Sequence, residues 1–263
     1  MSRIAETFVR LRRAGRRGFI PFITAGDPDL ATTRALIVEL ARAGATLIEL
    51  GVPFSDPMAD GPVIQRASER ALRGGTSLAD VLAVVQDVRR ETDVPIILFS
   101  YYNPLLQFGH ERLCAEAQAA GVDGLLVTDL APEEAEAFAA PLAAHALDLI
   151  FLVAPTSTDA RLALVAARAS GFIYAVSRAG VTGARADVSA EAERLVRRVR
   201  AFTDLPVAVG FGISTSAQVA DVWRYADAAV VGSALVAEIE QHTGTPDLVA
   251  RIGAFARGLL PQV

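Results

Sequence analysis

The chain has 263 residues, which allows one large domain or two small ones. Hydrophobic residues make up 52% of it, enough for a sizeable core, and this composition excludes an intrinsically disordered protein. The net charge of -5 offers no basic field for nucleic acid, and no apolar stretch approaches the roughly 18 residues of a membrane span. We therefore expect a cytoplasmic protein without nucleic-acid or membrane partners.

The N-terminal segment has Ile4, Phe8 and Leu11 at helical spacing, which predicts a helix that covers one end of the domain. After it, short apolar runs alternate with longer amphipathic segments rich in alanine. The predicted strands cover residues 19–24, 47–51, 96–101, 124–128, 149–153, 173–177, 207–211 and 228–231. The predicted helices lie near residues 30–43, 62–73, 77–90, 111–120, 132–144, 159–169, 189–201 and 215–224, with a last one from about 246.

The order of these segments predicts the fold class. Gly44, Gly121 and Gly171 each stand between a predicted helix and an apolar strand, as expected of helix-ending glycines. Strands without polar alternation are covered on both faces, which indicates a parallel α/β sheet with helices outside. Eight such units without a linker favour a (β/α)8 TIM barrel over residues 1–263, a single domain with an additional N-terminal helix. The alternative is a doubly wound open sheet, which would normally show Gly-x-Gly-x-x-Gly after its first strand; here residues 24–28 read TAGDP.

Cysteine, histidine and lysine usage exclude several chemistries. The single cysteine, Cys114, excludes an internal disulfide, and three scattered histidines predict no metal site. All 25 basic residues are arginine. Schiff-base aldolases, proteins that hold pyridoxal phosphate as an internal aldimine, and Walker A loops all need a lysine. This chain can therefore perform none of these three functions by itself.

A carboxylate, Glu49, lies near the end of the apolar run 46–50. Burying a charge among apolar side chains is costly unless it is paired or neutralised, and Leu or Val would serve the fold as well. The proline-rich loop beyond it carries Asp60. Because active residues of a barrel lie at the C-terminal ends of its strands, Glu49 and Asp60 are candidate catalytic groups. The structural alternative is a Glu satisfied by backbone donors and an Asp that caps the next helix.

The loops after the last three predicted strands are rich in glycine and hydroxyl groups, over residues 177–183, 210–214 and 231–233. The last two run straight into helix starts, where free amides and the helix dipole favour an anion. Phosphate sites in barrels commonly form after strands 7 and 8, so the pattern predicts a phosphate site. Ordinary turns, with Ser214 and Ser233 as N-caps, are the alternative.

Six motifs together resemble the alpha chain of tryptophan synthase, in the expected order and spacing from about residue 18 to 255. They are FITAGDP at 22–28, ELGVPFSDP at 49–57, ADGP at 59–62, YNP at 102–104, SRAGVTG at 177–183 and GFGIS at 210–214. The one departure is Val63, where we expect Thr. The resemblance implies a lyase of L-tryptophan biosynthesis that cleaves indole-3-glycerol phosphate into indole and glyceraldehyde 3-phosphate.

The residues fit that retro-aldol reaction, in which a carboxyl group must protonate the indole ring carbon. Glu49, in its apolar strand, is expected to have a raised pKa and to act as the acid, then as base for the substrate hydroxyl. Asp60, on a wetter loop, is expected to stay ionised and face the ring N–H. Tyr174 matches a family position close to the reacting side chain, with packing inside the barrel as its alternative.

The substrate also needs an apolar slot for the indole ring and a cradle for the phosphate. The side chains expected around the ring stand at predicted strand ends: Phe22, Tyr101, Thr128 and Phe211. The backbone amides expected to take the phosphate are those of Gly183, Gly212, Gly232 and Ser233.

The resemblance further implies a partner, the pyridoxal-phosphate beta chain, in an alpha2-beta2 tetramer, with no cofactor in the present chain. The positions that match the family's contact loops are Asp56, Pro57, Asn103, Pro104, Asp129 and Pro132; loops of this kind are otherwise simply exposed turns. Three alternatives remain open: a stand-alone lyase, a barrel that only regulates a partner, and a barrel enzyme of sugar-phosphate ring isomerisation. The second has no reason to keep two catalytic carboxylates, and the third leaves residues 177–183 unexplained.

Overall fold

A computed structural model describes residues 1–176, 185–210 and 212–261, without the side chains of residues 185–189. Its strands form a closed parallel barrel in chain order: β1 Gly18–Thr24, β2 Ile48–Gly51, β3 Ile96–Ser100, β4 Gly124–Val127, β5 Asp148–Val153, β6 Ile173–Val176, β7 Val207–Gly210 and β8 Ala228–Val231. The barrel closes between β1 and β8, with Phe19 in register with Ala229. This confirms the (β/α)8 barrel and excludes the doubly wound open sheet.

Helices surround the barrel, and none that the structure describes is long and apolar enough to cross a membrane. They are α1 Arg3–Arg13, α2 Leu30–Arg42, α3 Pro62–Arg73, α4 Leu78–Val88, α5 Tyr102–Phe108, α6 His110–Ala120, α7 Glu136–Ala144, α8 Asp159–Arg168, α9 Arg185–Val199, α10 Ser216–Trp223, α11 Ser233–His242 and α12 Leu248–Leu259. Gly121 ends α6 in the left-handed conformation, as predicted, where a side chain would be strained.

The predicted N-terminal helix is confirmed as α1, which closes the end of the barrel opposite the strand C-termini. Its Ile4, Phe8 and Leu11 are buried in one cluster with the alternate strand residues that fill the barrel interior. The rings of Phe8 and Phe172 lie 5.8 Å apart. Arg3 adds an ion pair of 2.7 Å to the buried carboxylate Asp123. The apolar seal leaves the other end of the barrel as the open one.

The observed elements differ from the predicted ones where strands pass into loops. β3 ends at Ser100, so Tyr101 is not in the strand but precedes α5, a short helix that the periodicity does not predict. Its Pro104 lies in the first turn, where a missing N–H breaks no helical hydrogen bond. β4 likewise ends before Thr128. The helix start expected after residues 231–233 is confirmed as the start of α11, whose extent to His242 is not among the predicted bounds, and the predicted strand ends at 177 and 211 lie outside the described residues.

Candidate active site

A cavity of about 400 Å³ opens at the C-terminal ends of the strands. It brings together seven of the predicted site residues: Phe22, Glu49, Asp60, Tyr174, Gly212, Gly232 and Ser233. The other described residues on its wall are Ala59, Gly61, Ile64, Phe99, Ile213, Ser214, Val230 and Ala234. Gly183 and Phe211, also predicted for the site, lie outside the described residues.

Glu49 lies on β2, in register with Phe22 of β1 and Ile97 of β3. Both neighbours point into the barrel, so the carboxyl group shares the interior face with apolar side chains. Only 1% of Glu49 is exposed, and its Oε1 has no hydrogen-bond partner among the described residues. Burial therefore raises the pKa of Glu49 well above its ordinary value, as predicted. A buried carboxyl oxygen without a partner needs an explanation, and a catalytic role is one such explanation.

Asp60 lies in the loop between β2 and α3 and faces the same cavity. Its Oδ2 accepts a hydrogen bond of 3.0 Å from Tyr101 Oη, which itself accepts one of 2.9 Å from the amide of Ala59. Partial burial raises the pKa of Asp60 to about 6, against the lowering effect of the Tyr101 hydrogen bond. At neutral pH the group is still mostly ionised. The N-cap of α3 is Gly61, so the alternative that Asp60 caps this helix is wrong.

Tyr174 reaches the cavity from β6 and is 4% exposed. Burial and the nearby charge of Glu49 raise the pKa of Tyr174 well above its ordinary value, so the phenol stays neutral and keeps its proton. Gly210, on the adjacent strand β7, makes room for it: a Cβ there would lie 1.9 Å from Tyr174 Oη. The structure thus places a neutral hydroxyl group in the same cavity as the two carboxyl groups.

The apolar part of the cavity is formed by aromatic and aliphatic side chains. Phe22 and Phe99 pack edge to face, with ring centroids 5.2 Å apart. Tyr101, predicted for the ring slot, contacts Asp60 instead. Thr128 is not on this wall; its hydroxyl donates a hydrogen bond of 3.3 Å to the carbonyl of Ser100. Phe99 is not among the predicted site residues, although its two-residue spacing from Ile97 on β3 gives it the same inward direction.

The polar end of the cavity lies at the start of α11. The N-cap of this helix is Gly232, and no side chain caps its first amides, so those of Ser233 and Ala234 remain available to a ligand. The neighbouring helix α10 is different, since the Thr215 side chain and Gln218 form a capping box at its start. Ser214 is therefore not the N-cap that the alternative proposed. Of the two helix starts, that of α11 is the one whose first amides no side chain caps, as an anion site requires.

The predicted partner residues lie after β2, β3 and β4, at the open end of the barrel. Asp56, Asn103 and Asp129 are exposed, and Pro57 and Pro104 are half-buried. The Asp129 carboxylate accepts a hydrogen bond of 2.7 Å from the Tyr102 amide, which joins the loop after β4 to the start of α5. Pro132 is buried, and its carbonyl accepts a hydrogen bond from Arg168, so it fixes its loop rather than adding exposed surface.

These features define a class: a (β/α)8 barrel whose open end holds two carboxyl groups and uncapped helix amides around one apolar cavity. Across the residues the structure describes, no group of three or more His, Cys, Asp or Glu side chains is arranged to hold a metal ion. Comparison with protein families then identifies the particular family. The family model described as tryptophan synthase alpha chain matches residues 8–259, and the chain belongs to this family.

Individual relatives match this chain over nearly their whole length. The tryptophan synthase alpha chain of Geobacter sulfurreducens is 53% identical over 259 residues, which cover 98% of each chain. That of Solibacter usitatus is 51% identical, covering 98% of this chain and 97% of the relative. The crystal structure of tryptophan synthase subunit alpha from Legionella pneumophila superimposes with a TM-score of 0.91 at 38% identity, covering 98% and 97% of the two chains. A ligand-free tryptophan synthase structure from M. tuberculosis gives 0.88 at 40% identity, with 98% and 99% covered.

Proposed function

We propose that the cavity at the open end of the barrel is where this chain cleaves indole-3-glycerol phosphate into indole and glyceraldehyde 3-phosphate. Membership of the tryptophan synthase alpha chain family supports this lyase activity. The observation that carries the assignment to the cavity is Glu49, a 1% exposed carboxyl group with an unpartnered oxygen, in register with the apolar, inward-facing Phe22 and Ile97. No packing requirement explains a carboxyl group at that point.

Glu49 serves first as the acid. Its raised pKa keeps a proton on the carboxyl group, which it gives to the ring carbon that carries the glycerol phosphate side chain. The ring becomes an electron-deficient indolenine. The bond from this carbon to the side chain then breaks, and its electron pair returns to the ring. The Glu49 carboxylate takes the proton of the adjacent hydroxyl group, which becomes the aldehyde of glyceraldehyde 3-phosphate, so the acid is regenerated.

Asp60 stabilises the positive charge that the ring nitrogen acquires in this step. Its carboxylate is ionised at neutral pH and accepts a hydrogen bond from the hydroxyl of Tyr101, which favours one orientation of the side chain. Tyr174 keeps its proton and can donate a hydrogen bond to the reacting side chain or to Glu49. The two carboxyl groups thus divide the work because their surroundings differ.

The remaining walls of the cavity would hold the two ends of the substrate. Phe22, Phe99 and Ile64 offer an apolar slot for the indole ring. The amides at the start of α11 would bind the phosphate, aided by the helix dipole, together with that of Gly212. Binding energy from this distant phosphate would hold the reacting bond beside Glu49.

The chain is proposed to work as one cytoplasmic barrel domain with a tryptophan synthase beta chain, in an alpha2-beta2 assembly. The family name itself describes one subunit of a larger enzyme. The contact surface would be the mouth of the barrel, where Asp56, Asn103 and Asp129 are exposed around the cavity. Pyridoxal phosphate would belong to the beta chain, since a chain without lysine cannot form the internal aldimine.

Replacement of Glu49 tests the assignment. Glu49→Gln keeps the shape of the side chain and removes the transferable proton, so the rate of indole release from indole-3-glycerol phosphate should fall by more than the 10²–10⁴-fold that is typical of one acid–base group. A fall in rate beyond that range is expected because Glu49 acts first as the acid and then as the base. Binding of glycerol 3-phosphate, measured by calorimetry, should stay within about twofold, since the amides of α11 are untouched.

The matched control is Glu69→Gln, which changes an exposed carboxylate on α3 whose partner is Arg73 of the same helix. It should keep native turnover. Near-native indole release by folded Glu49→Gln protein would overturn the proposed chemistry.

A further inference from the structure

An arginine on the outer side of the barrel joins three elements that lead to the cavity. Arg70 of α3 makes a bidentate pair with Asp27, through Nε at 2.8 Å and Nη2 at 2.9 Å. Its third nitrogen, Nη1, lies 2.6 Å from Glu240 Oε1 on α11. Arg66, one turn earlier on α3, pairs with both oxygens of Glu240 at 2.8 and 2.7 Å. We call these four side chains the Arg70 cluster.

Burial makes the Arg70 cluster more than a surface ion pair. The Asp27 side chain is 1% exposed and that of Arg70 is 24% exposed. The planar guanidinium uses all three nitrogens on two carboxylates, an arrangement that fixes orientation as well as distance. By contrast, Arg73 on the same helix is 72% exposed and pairs with Glu69, which is 59% exposed. Solvent screens that pair, which therefore constrains little.

Each element held by the Arg70 cluster begins or ends at the cavity. α3 starts at Pro62, directly after Asp60 and Gly61, and carries Ile64 on the cavity wall. α11 starts at Ser233, where the uncapped amides lie. Asp27 follows β1, which carries Phe22. At a rise of about 1.5 Å per residue, Arg70 is about 12 Å along α3 from Pro62 and so does not touch the substrate.

We infer that Arg70 is a positioning residue of the lyase: it holds the helix that follows Asp60 at a fixed separation from the helix whose amides bind phosphate. The inference rests on the proposed function, in which one substrate spans these two helix starts. A ligand that engages both ends gains affinity only when both half-sites are at the right distance. The affinity of a ligand that contacts only one end does not depend on that distance.

The inference is tested by comparing ligands whose affinity depends on the helix separation with ligands whose affinity does not. The variant Arg70→Met keeps most of the side-chain length and removes the ion pairs. Three ligands are titrated by calorimetry: indole for the ring slot, glycerol 3-phosphate for the amides of α11, and a non-cleavable indole alkyl phosphate that spans both. We expect the spanning ligand to bind at least tenfold more weakly than to the native protein, and each single-ended ligand to change by less than threefold. Turnover at saturating indole-3-glycerol phosphate should fall in parallel.

Two further variants sharpen the result. Arg73→Met, the exposed arginine of the same helix, should leave all three affinities and turnover unchanged. Arg70→Lys keeps the charge but cannot bridge two carboxylates with a rigid fork. Its affinity for the spanning ligand should therefore lie between those of the native protein and Arg70→Met. If Arg70→Met does not fold, as judged by circular dichroism, Glu240→Gln decides the matter. It weakens only the link to α11 and should cause the same selective loss.

Unchanged affinity for the spanning ligand in a folded Arg70→Met or Glu240→Gln variant would overturn the inference, as would an equal loss for all three ligands. Indole release by the native chain is measured alongside. Its absence would count against the proposed function. If the native chain releases indole and the variants bind all three ligands as the native protein does, the positioning role of Arg70 is wrong and the proposed function stands.

Discussion

Glu49 and Asp60 have different pKa values in one cavity because their surroundings differ. Glu49 is enclosed by the barrel interior, where desolvation alone raises its pKa. Asp60 is on a loop that is half-buried, and the Tyr101 hydroxyl opposes part of the desolvation, so its pKa is about 6. The sequence indicates which carboxyl group is buried, but not the hydrogen bond from Tyr101, because 41 positions separate the two residues.

Removal of the Tyr101 hydroxyl should shift the pH dependence of the lyase. The proposed mechanism needs ionised Asp60, so kcat/KM should rise as the pH increases through the pKa of this group, near 6. In Tyr101→Phe the hydrogen bond that lowers this pKa is absent. The acidic limb of the profile should therefore move to higher pH, and turnover at pH 6 should fall severalfold more than turnover at pH 8. Indole release measured from pH 5 to 9 checks this.

The control for this profile is Tyr102→Phe, the adjacent tyrosine, whose ring packs against His110 and Phe138 rather than against Asp60. Its acidic limb should coincide with that of the native protein. If the limb stayed in place in Tyr101→Phe as well, Asp60 would not be the group that titrates there.

The helices α10 and α11 both begin at the open end of the barrel, yet only one start is uncapped. The capping box of α10 uses Gln218 Oε1, which accepts from the amides of Ser214 and Thr215 at 2.8 and 3.1 Å. Gly232 offers no such group to α11. The two helix starts have similar glycine- and hydroxyl-rich sequences. They nevertheless differ in the number of backbone amides that remain free to bind an anion.

A carboxylate placed at the start of α11 should repel the substrate phosphate. Ser233→Asp is expected to raise KM for indole-3-glycerol phosphate by tenfold or more and to abolish measurable glycerol 3-phosphate binding, because the added charge competes for the same amides. Ser216→Asp, which adds the same charge at the first residue of the capped helix α10, is the control and should change KM by less than threefold. Equal effects of the two substitutions would contradict the assignment of the phosphate to α11.

The strands are predictable from the sequence because both of their faces are buried, the outer one under helices and the inner one inside the barrel. Nearly every strand position is therefore apolar. The short helix α5 is not predictable, since Asn103 and Pro104 in its first turn read as a turn. Contacts between distant residues are equally hidden. Arg70 and Glu240 stand 170 positions apart, and only the closed barrel brings α3 beside α11. The residue types of the site are thus predictable, whereas the contacts that orient them are not.

The barrel has one sealed end and one open end, so the proposed beta chain could reach the cavity from the open end. At the sealed end, α1 fills the opening with Ile4, Phe8 and Leu11. At the open end, the loop that carries Asp60 is exposed at Asp56, Met58 and Ala59, with Met58 85% exposed. A partner on this side would cover the mouth of the cavity through which indole leaves.

Such a partner should also complete the site. Tyr101 donates to the carboxylate of Asp60, and the Asp60 backbone is bonded to the Pro57 carbonyl and to the Gln65 side chain, but the loop before it is exposed at Met58 and Ala59. A beta chain seated on the mouth would restrict this loop further and exclude water from the carboxylate. We expect the isolated chain to be a poor lyase and a beta chain to raise its turnover at saturating indole-3-glycerol phosphate severalfold or more. Because coupling free energy is reciprocal, glycerol 3-phosphate in the barrel should in turn tighten the complex.

The decisive measurement titrates the beta chain against indole release for the native protein, for Pro57→Ala and for Phe202→Ala. Pro57 stiffens the loop that carries Asp60, so its replacement should reduce the activation and weaken the complex. Phe202, 39% exposed between α9 and β7, lies at the sealed end of the barrel and should leave both unchanged. If the beta chain activates none of the three proteins, the chain is a stand-alone lyase. Equal loss of activation in both variants would place the contact surface elsewhere than at the mouth.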